Sequence, residues 1–120
     1  MPTASAPPAD HTPPAEPEQL RQWQEVALPH LSDIQFGPAE LARLLALSER
    51  TLYRRLGELA GLTPAAWLRE LRLDYARRLL EDGRFSTVSE VAHACGFATA
   101  KHFGTLYTER FGRKPSDYRT

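Results

Sequence analysis

The chain has 120 residues, of which 42% are hydrophobic and 25% are charged, and its formal net charge is zero. This length supports one compact domain with a modest core. No apolar run approaches a membrane span, the N-terminus lacks the features of a signal peptide, and the single cysteine cannot form an internal disulfide, so we expect a cytoplasmic protein.

The charge is unevenly distributed along the chain. Residues 1–31 contain four acidic residues and one arginine, whereas residues 32–120 contain the other eleven acidic and fourteen basic residues. The larger part is therefore mildly basic, and whether this indicates nucleic-acid binding depends on where its arginines lie.

The N-terminal segment, residues 1–17, contains six of the ten prolines and few apolar residues. Such a composition cannot offset the entropy lost on ordering, so it predicts a disordered tail or linker. The remainder, residues 18–120, is predicted to be a single domain.

Apolar periodicity and helix-end signals in that domain predict an all-α fold of about seven helices without strands. The clearest element is a long connecting helix, for which Thr63 provides the N-cap, Pro64 the first position and Asp82-Gly83 the end. Its arginines, at positions 69, 72, 77 and 78, are predicted to be solvated. Its predicted apolar stripe consists of Trp67, Leu68, Leu71, Tyr75, Ala76 and Leu79. The other helices are predicted at residues 18–31, 38–45, 49–59, 87–95 and 99–111, with a turn at 115–118.

A two-helix pattern occurs twice in this sequence. Glu40-Leu41-Ala42 matches Glu90-Val91-Ala92 fifty residues later, and after one inserted residue Ser48 matches Thr99. Each copy has the layout of a helix-turn-helix, with a small alanine in the first helix and an N-cap on the second. The sequence therefore predicts a duplicated DNA-binding unit.

The two copies define the expected organisation of the domain. The first unit is predicted at about residues 33–61, the connecting helix at about 63–81 and the second unit at about 86–119. Gly96 can adopt the left-handed conformation that such a turn needs, whereas Ala46 does so at a cost, so the first turn is expected to be shaped differently. A rod of roughly 27 Å can hold two helices about 34 Å apart, one turn of B-DNA.

The second helix of each unit should expose donors for base edges and phosphates. In the first unit, Leu52 and Leu56 are predicted to face the core, which leaves Arg50, Tyr53 and Arg54 outward. In the second unit the corresponding outward residues are Lys101, Gly104 and Thr105. We expect the first unit to carry most of the base selection and the second to add affinity and shape readout.

Residues 33–119 resemble the DNA-binding domain of the AraC/XylS family of bacterial transcription regulators. The resemblance is carried by LARLLALSERTLYRRLGELAGLTPAAWLRELRLDYARRLL and VSEVAHACGFATAKHFGTLYTERFGRKPSDYR. It implies two helix-turn-helix units on a rigid connecting helix, with recognition helices in successive major grooves of double-stranded DNA. It implies base contacts by Arg50, Tyr53, Arg54, Lys101 and Thr105 and phosphate contacts by Ser48, Thr51 and Thr99. Apart from the resemblance, Arg43 and His102 are further candidates for phosphate contacts.

The sequence departs from the family pattern at four positions. The family usually has arginine at the position of Thr105, a hydroxyl residue at that of Gly104 and a basic residue at that of Thr108, and glycine is common where Ala46 stands. Three of these departures fall in the second unit, which is therefore expected to bind more weakly.

The main alternative to DNA binding is a helical protein-interaction module with a degenerate second unit. The sequence contains no plausible pair of nucleophile and base, no paired carboxylates and no phosphate-binding glycine loop, so an enzyme is not predicted. No cofactor is expected. His93, Cys95 and His102 match no common zinc spacing, so no metal site is predicted.

The proline-rich start also bears on partners. It suggests an interdomain linker, and hence the output domain of a larger regulator with an upstream sensor or receiver domain; a small stand-alone regulator is the alternative. RNA polymerase is a further candidate partner.

Overall fold

The structure is a computed structural model, and it describes residues 17–118. The predicted disordered tail lies outside these residues except for Pro17. Within them the chain is all helical, which confirms the predicted fold class. In order, the elements are α1 (Glu18–Ala27), a 3₁₀ turn (Leu28–His30), α2 (Pro38–Leu44), α3 (Glu49–Ala60), α4 (Pro64–Asp82), α5 (Val88–Ala94), α6 (Ala100–Phe111) and a second 3₁₀ turn (Pro115–Tyr118).

Side-chain hydroxyls define where four of these helices begin. In each case a serine or threonine oxygen accepts the N–H of the residue three positions later, which satisfies one of the unpaired donors of the first turn. The pairs are Ser48 with Thr51, Thr63 with Ala66, Thr87 with Glu90, and Thr99 with His102. Three helices end at a glycine in the left-handed conformation, namely Gly61, Gly83 and Gly112.

The core consists of two separate clusters, one on each half of α4. The first cluster contains Leu20, Trp23, Ala27, Leu31, Phe36, Leu41, Ala42, Leu52, Leu56, Trp67, Leu68 and Leu71. The second contains Leu73, Ala76, Leu80, Val91, Ala92, Cys95, Phe97, Phe103 and Tyr107. Helix α1 thus belongs to the first helix-turn-helix unit, and no buried residue is common to both clusters.

The prediction of a single apolar stripe along α4 is wrong. Leu73 and Leu80 are buried, whereas Tyr75 and Leu79 are only half-buried. The buried side of α4 changes between Leu71 and Leu73. Side chains two positions apart on a helix point about 200° apart, so Leu73 faces nearly the opposite side from Leu71. Helix α4 therefore holds the two units on nearly opposite faces.

Arg72 lies where the buried side of α4 changes. It was predicted to be solvated, but in the structure its guanidinium is hydrogen-bonded to the protein. Its Nε donates to the carbonyl of Leu31 at 3.1 Å, and its terminal nitrogen donates to the carbonyls of Asp33 and Phe36 at 3.0 Å each. Burial lowers the pKa of the Arg72 guanidinium, and the Asp33 carboxylate opposes this effect. One side chain of α4 therefore fixes the connector between α1 and α2.

The turn of the second unit packs directly against that connector. A Cβ placed on Gly96 would lie 2.0 Å from the carbonyl oxygen of Leu31 and 2.6 Å from Nε of Arg72. Only a residue without a side chain allows this approach. We call Leu31, Arg72 and Gly96 the junction, since they are where the two units meet beside α4.

The two helix-turn-helix turns have the same conformation, so the expectation of a differently shaped first turn is wrong. Ala46 has φ of +60°, and Gly96 has φ of +84°. In the first turn the N–H of Leu47 donates to Ala42 at 2.9 Å, and in the second Phe97 donates to Ala92 at the same distance. The repeated hydrogen bond holds Ala46 in a left-handed conformation that alanine otherwise avoids.

We expect Ala46→Gly to raise the free energy of unfolding by about 0.5–1 kcal/mol, because glycine removes the left-handed strain but adds freedom to the unfolded chain. Chemical denaturation measures the change. Gly57→Ala serves as the matched control, since Gly57 lies inside α3 where an added Cβ meets no atom within 4 Å. It should stabilise by a similar amount. A loss of stability in Ala46→Gly would contradict the strain at this turn.

Within the described part of the chain, no helix combines the length and apolar character needed to cross a membrane.

Candidate nucleic-acid interface

Helix α3 presents the three residues predicted for base contacts on its outer face. Leu52 and Leu56 are completely buried, whereas Arg50, Tyr53 and Arg54 are exposed. Tyr53 keeps 59% of its surface accessible, which is unusual for a large aromatic side chain. The face therefore offers two guanidinium groups and one phenol to a partner.

The arginines of α3 have different partners. The Arg54 guanidinium lies 3.4 Å from the Glu58 carboxylate, but both side chains are about 60% exposed, and ion pairs of this kind contribute little and are easily broken. Arg55 is instead held by helix α1: it donates to the side chain of Gln19 at 3.1 Å and lies 5.6 Å from the centre of the Trp23 ring. Arg55 thus anchors α3, and Arg54 remains available.

The hydroxyl groups predicted for phosphate contacts lie at helix N-termini. Ser48 Oγ accepts the N–H of Thr51 at 3.0 Å and lies 2.9 Å from the Thr51 hydroxyl. Thr99 caps α6 in the same way. The unpaired N–H groups and the dipole of a helix N-terminus favour anions there, so both sites suit a phosphate.

The outer face of α6 carries fewer donors. Lys101 is exposed. The Thr105 hydroxyl donates its hydrogen to the backbone carbonyl of Lys101 at 3.2 Å, so this hydrogen bond stays within the helix. His102 is exposed and its ring meets that of Phe97 edge-on, with centroids 6.5 Å apart. Arg43, the remaining phosphate candidate, is exposed in the last turn of α2.

Sequence reasoning missed a hollow on this face of α6. It has a volume of about 540 Å³ and opens to solvent. We call it the α6 hollow; the residues that line it include Val88, Ala100, Gly104, Thr108 and Pro115. The sequence indicates the hollow only through Gly104, a glycine at an outward position of the helix. From the sequence alone, this glycine indicates only the loss of a hydroxyl side chain that could bind DNA.

Helix α6 is fixed to the rest of the second unit by polar contacts at its far end. The Arg110 guanidinium lies 2.7 Å from the Glu70 carboxylate on α4, and the Tyr107 and Tyr118 hydroxyls are 2.8 Å apart. Burial and this hydrogen bond raise the pKa of Tyr107. These contacts join the C-terminal half of α6 to α4 and to the last turn.

The residues considered for a metal site do not form one. Cys95 is completely buried in the second core, and burial raises the pKa of its thiol to about 12. Among residues 17–118, no three histidine, cysteine or acidic side chains lie close enough together to hold a metal ion.

A comparison with known families matches residues 41–120 to a model described as a helix-turn-helix domain. The transcriptional activator RhaS of Salmonella arizonae is 40% identical over 105 residues, which cover 88% of this chain and 36% of that protein. The chain belongs to the AraC/XylS family of transcription regulators. Since it spans about a third of the length of the curated relatives it matches, it corresponds to one part of their architecture.

Solved structures agree with the AraC/XylS assignment. The DNA-binding domain of AdpA, described as a global transcriptional factor and solved with a target DNA, has a TM-score of 0.72 and 35% identity, and the match covers 82% of this chain and 87% of that one. A probable AraC family regulator from Rhodopseudomonas palustris has a TM-score of 0.69 and 30% identity, with 85% and 94% covered.

Proposed function

We propose that this AraC/XylS family domain binds double-stranded DNA sequence-specifically by placing α3 and α6 in successive major grooves, and that it regulates bacterial transcription in this way. One observation supports the proposal most directly. Two helix-turn-helix units with the same turn are attached to one helix, α4, and each unit exposes the outer face of its second helix, α3 or α6. Because DNA lies in the bacterial cytoplasm, the protein would act there.

Specific residues have defined roles in this proposal. Arg50, Tyr53 and Arg54 contact bases in the first groove, and arginine can bond guanine O6 and N7 with two parallel hydrogen bonds. Lys101 and Thr105 contact bases in the second groove. The phosphates on either side are contacted by Ser48, Thr51, Thr99, Arg43 and His102.

Partners beyond DNA follow from the relatives. RhaS is named a transcriptional activator, and the chain matches only a third of its length. We therefore propose that this domain is the output part of a longer regulator, with a sensor or receiver domain upstream and RNA polymerase as the target of its action.

The test is selection of duplexes from a random library at near-physiological salt. The wild-type domain should enrich an asymmetric site of two blocks about ten base pairs apart. An Arg50→Ala, Arg54→Ala double variant should lose the first block and bind the selected site about 100-fold more weakly, because each arginine–guanine contact provides roughly 1–3 kcal/mol of discrimination.

The control removes two positive charges from another surface. Arg21 and Arg78 are exposed on α1 and α4, so an Arg21→Ala, Arg78→Ala variant should keep both blocks. If the wild-type domain leaves the library random, sequence-specific binding is rejected. Equal losses in the two double variants would show that charge alone, rather than the α3 face, determines affinity.

A further inference from the structure

The α6 hollow interrupts the surface that is proposed to enter the second major groove. Ala100, Lys101, Gly104, Thr105 and Thr108 form one stripe along α6, and this stripe borders the hollow. A Cβ placed on Gly104 would meet no atom within 4 Å, so the gap is real space beside the helix. Groups on a base edge can therefore approach the α6 backbone more closely than they can approach α3.

The lining of the hollow is chemically unlike the α3 face. Most of the surface that lines it is apolar, with contributions from Val88, Ala100 and Pro115, and the hydroxyl residues Thr108 and Ser116 lie along it as well. The Thr105 hydroxyl at its edge already donates its hydrogen to the Lys101 carbonyl. The hollow is thus suited to an apolar group rather than to a hydrogen-bonding edge.

The major groove of DNA offers one apolar group, the C5-methyl of thymine. The charges of the hollow fit a nucleic acid, since two of its lining residues, Lys101 and Lys114, are basic and one, Glu109, is acidic. We propose that the second unit recognises thymine methyl groups through the α6 hollow, while the first unit recognises hydrogen-bonding base edges through its arginines. This inference rests on the proposed function, in which α6 enters a major groove.

The test uses the duplex enriched in the selection described above. Every thymine of the second block is replaced by uracil, which removes only the methyl group, and the same change is made separately in the first block. Because a buried methyl group contributes to affinity in proportion to its apolar area, we expect about fourfold weaker binding for each methyl lost from the second block. Replacement in the first block should change affinity less than twofold per base.

A variant identifies the hollow as the origin of this effect. Gly104→Gln places a side chain in this space, where an added Cβ would meet no atom within 4 Å, and should make binding insensitive to the methyl groups of the second block. Gly57 provides the control, because it is also a helical glycine whose added Cβ would meet no atom within 4 Å, and it lies on α3 rather than beside the hollow. Gly57→Gln should therefore keep the methyl dependence.

The possible outcomes distinguish a failure of this inference from a failure of the proposed DNA-binding function. A selected site whose second block contains no thymine, or whose affinity is unchanged by uracil, overturns the inference while DNA binding stands. Methyl dependence that persists in Gly104→Gln assigns the effect to another surface and also overturns it. If the parent duplex is bound no better than random DNA, the proposed function and the inference both fail.

Discussion

Replacing Gly96 with alanine should lower the free energy of unfolding by at least about 3 kcal/mol, through two effects that act together. The residue has φ of +84°, where a side chain is strained. The Cβ of alanine would also lie 2.0 Å from the Leu31 carbonyl oxygen. That oxygen belongs to the backbone and the Cβ is fixed to its own Cα, so neither can move aside without separating the two units. Urea denaturation of the whole chain measures the loss.

Gly83→Ala is the control for this variant. Gly83 has φ of +69°, but a Cβ there would meet no atom within 4 Å. It should cost only the conformational part, about 1–2 kcal/mol. Equal losses at the two positions would show that the close packing of the second turn on the α1–α2 connector does not contribute to stability.

Replacing Arg72 with alanine should lower the free energy of unfolding by about 3 kcal/mol, since three backbone carbonyls lose a charged donor and two of them are partly buried. The fork of the guanidinium is essential here, because its donors reach carbonyls that lie in different directions. Arg72→Lys keeps the charge but cannot serve all three acceptors, so it should lose roughly half of that amount.

Arg78→Ala controls for the removal of a positive charge from α4. Arg78 is exposed on the same helix, and its replacement should change stability by no more than about 0.5 kcal/mol. Denaturation midpoints of the three variants, compared with the wild type, decide the matter. If Arg72→Lys were as stable as the wild type, charge rather than geometry would account for the role of Arg72.

The helix ends were the most predictable part of the fold, because they depend on local chemistry. Thr63 was predicted as the N-cap of the connecting helix, Pro64 as its first residue and Asp82-Gly83 as its end, and all have these roles in the structure. What failed depends on tertiary contacts. The buried side of α4 changes where the chain passes from one core to the other, and nothing in the local periodicity marks that residue.

Two further errors have the same origin. An arginine bordered by apolar residues was predicted to be solvated, but the carbonyls it binds belong to a connector that lies 36 to 41 residues away. Ala46 was expected to avoid a left-handed conformation, but the hydrogen bond from Leu47 to Ala42 and the packing of Leu41 and Leu52 outweigh the local strain. The local propensity of alanine does not include these tertiary contacts.

For the candidate interface, periodicity was sufficient to place the side chains. Once Leu52 and Leu56 face inward, the positions of Arg50, Tyr53 and Arg54 follow from helix geometry. The α6 hollow could not be derived in this way, because it is formed by α5, α6 and the last turn together. That Arg50, Tyr53 and Arg54 bind DNA remains a prediction, which the selection experiment tests.

The absence of any buried residue common to the two cores has a consequence for how this domain loses its structure. Cooperativity between the halves must pass through α4 and the junction, so amide hydrogens of α1–α3 and of α5–α6 can exchange with different opening free energies. Substitutions that weaken one core need not open the other. Each half can therefore tolerate substitutions on its own surface while the other half keeps its structure. The exposed arginines of α3 and the hollow beside Gly104 on α6 are two surfaces that can differ in this way.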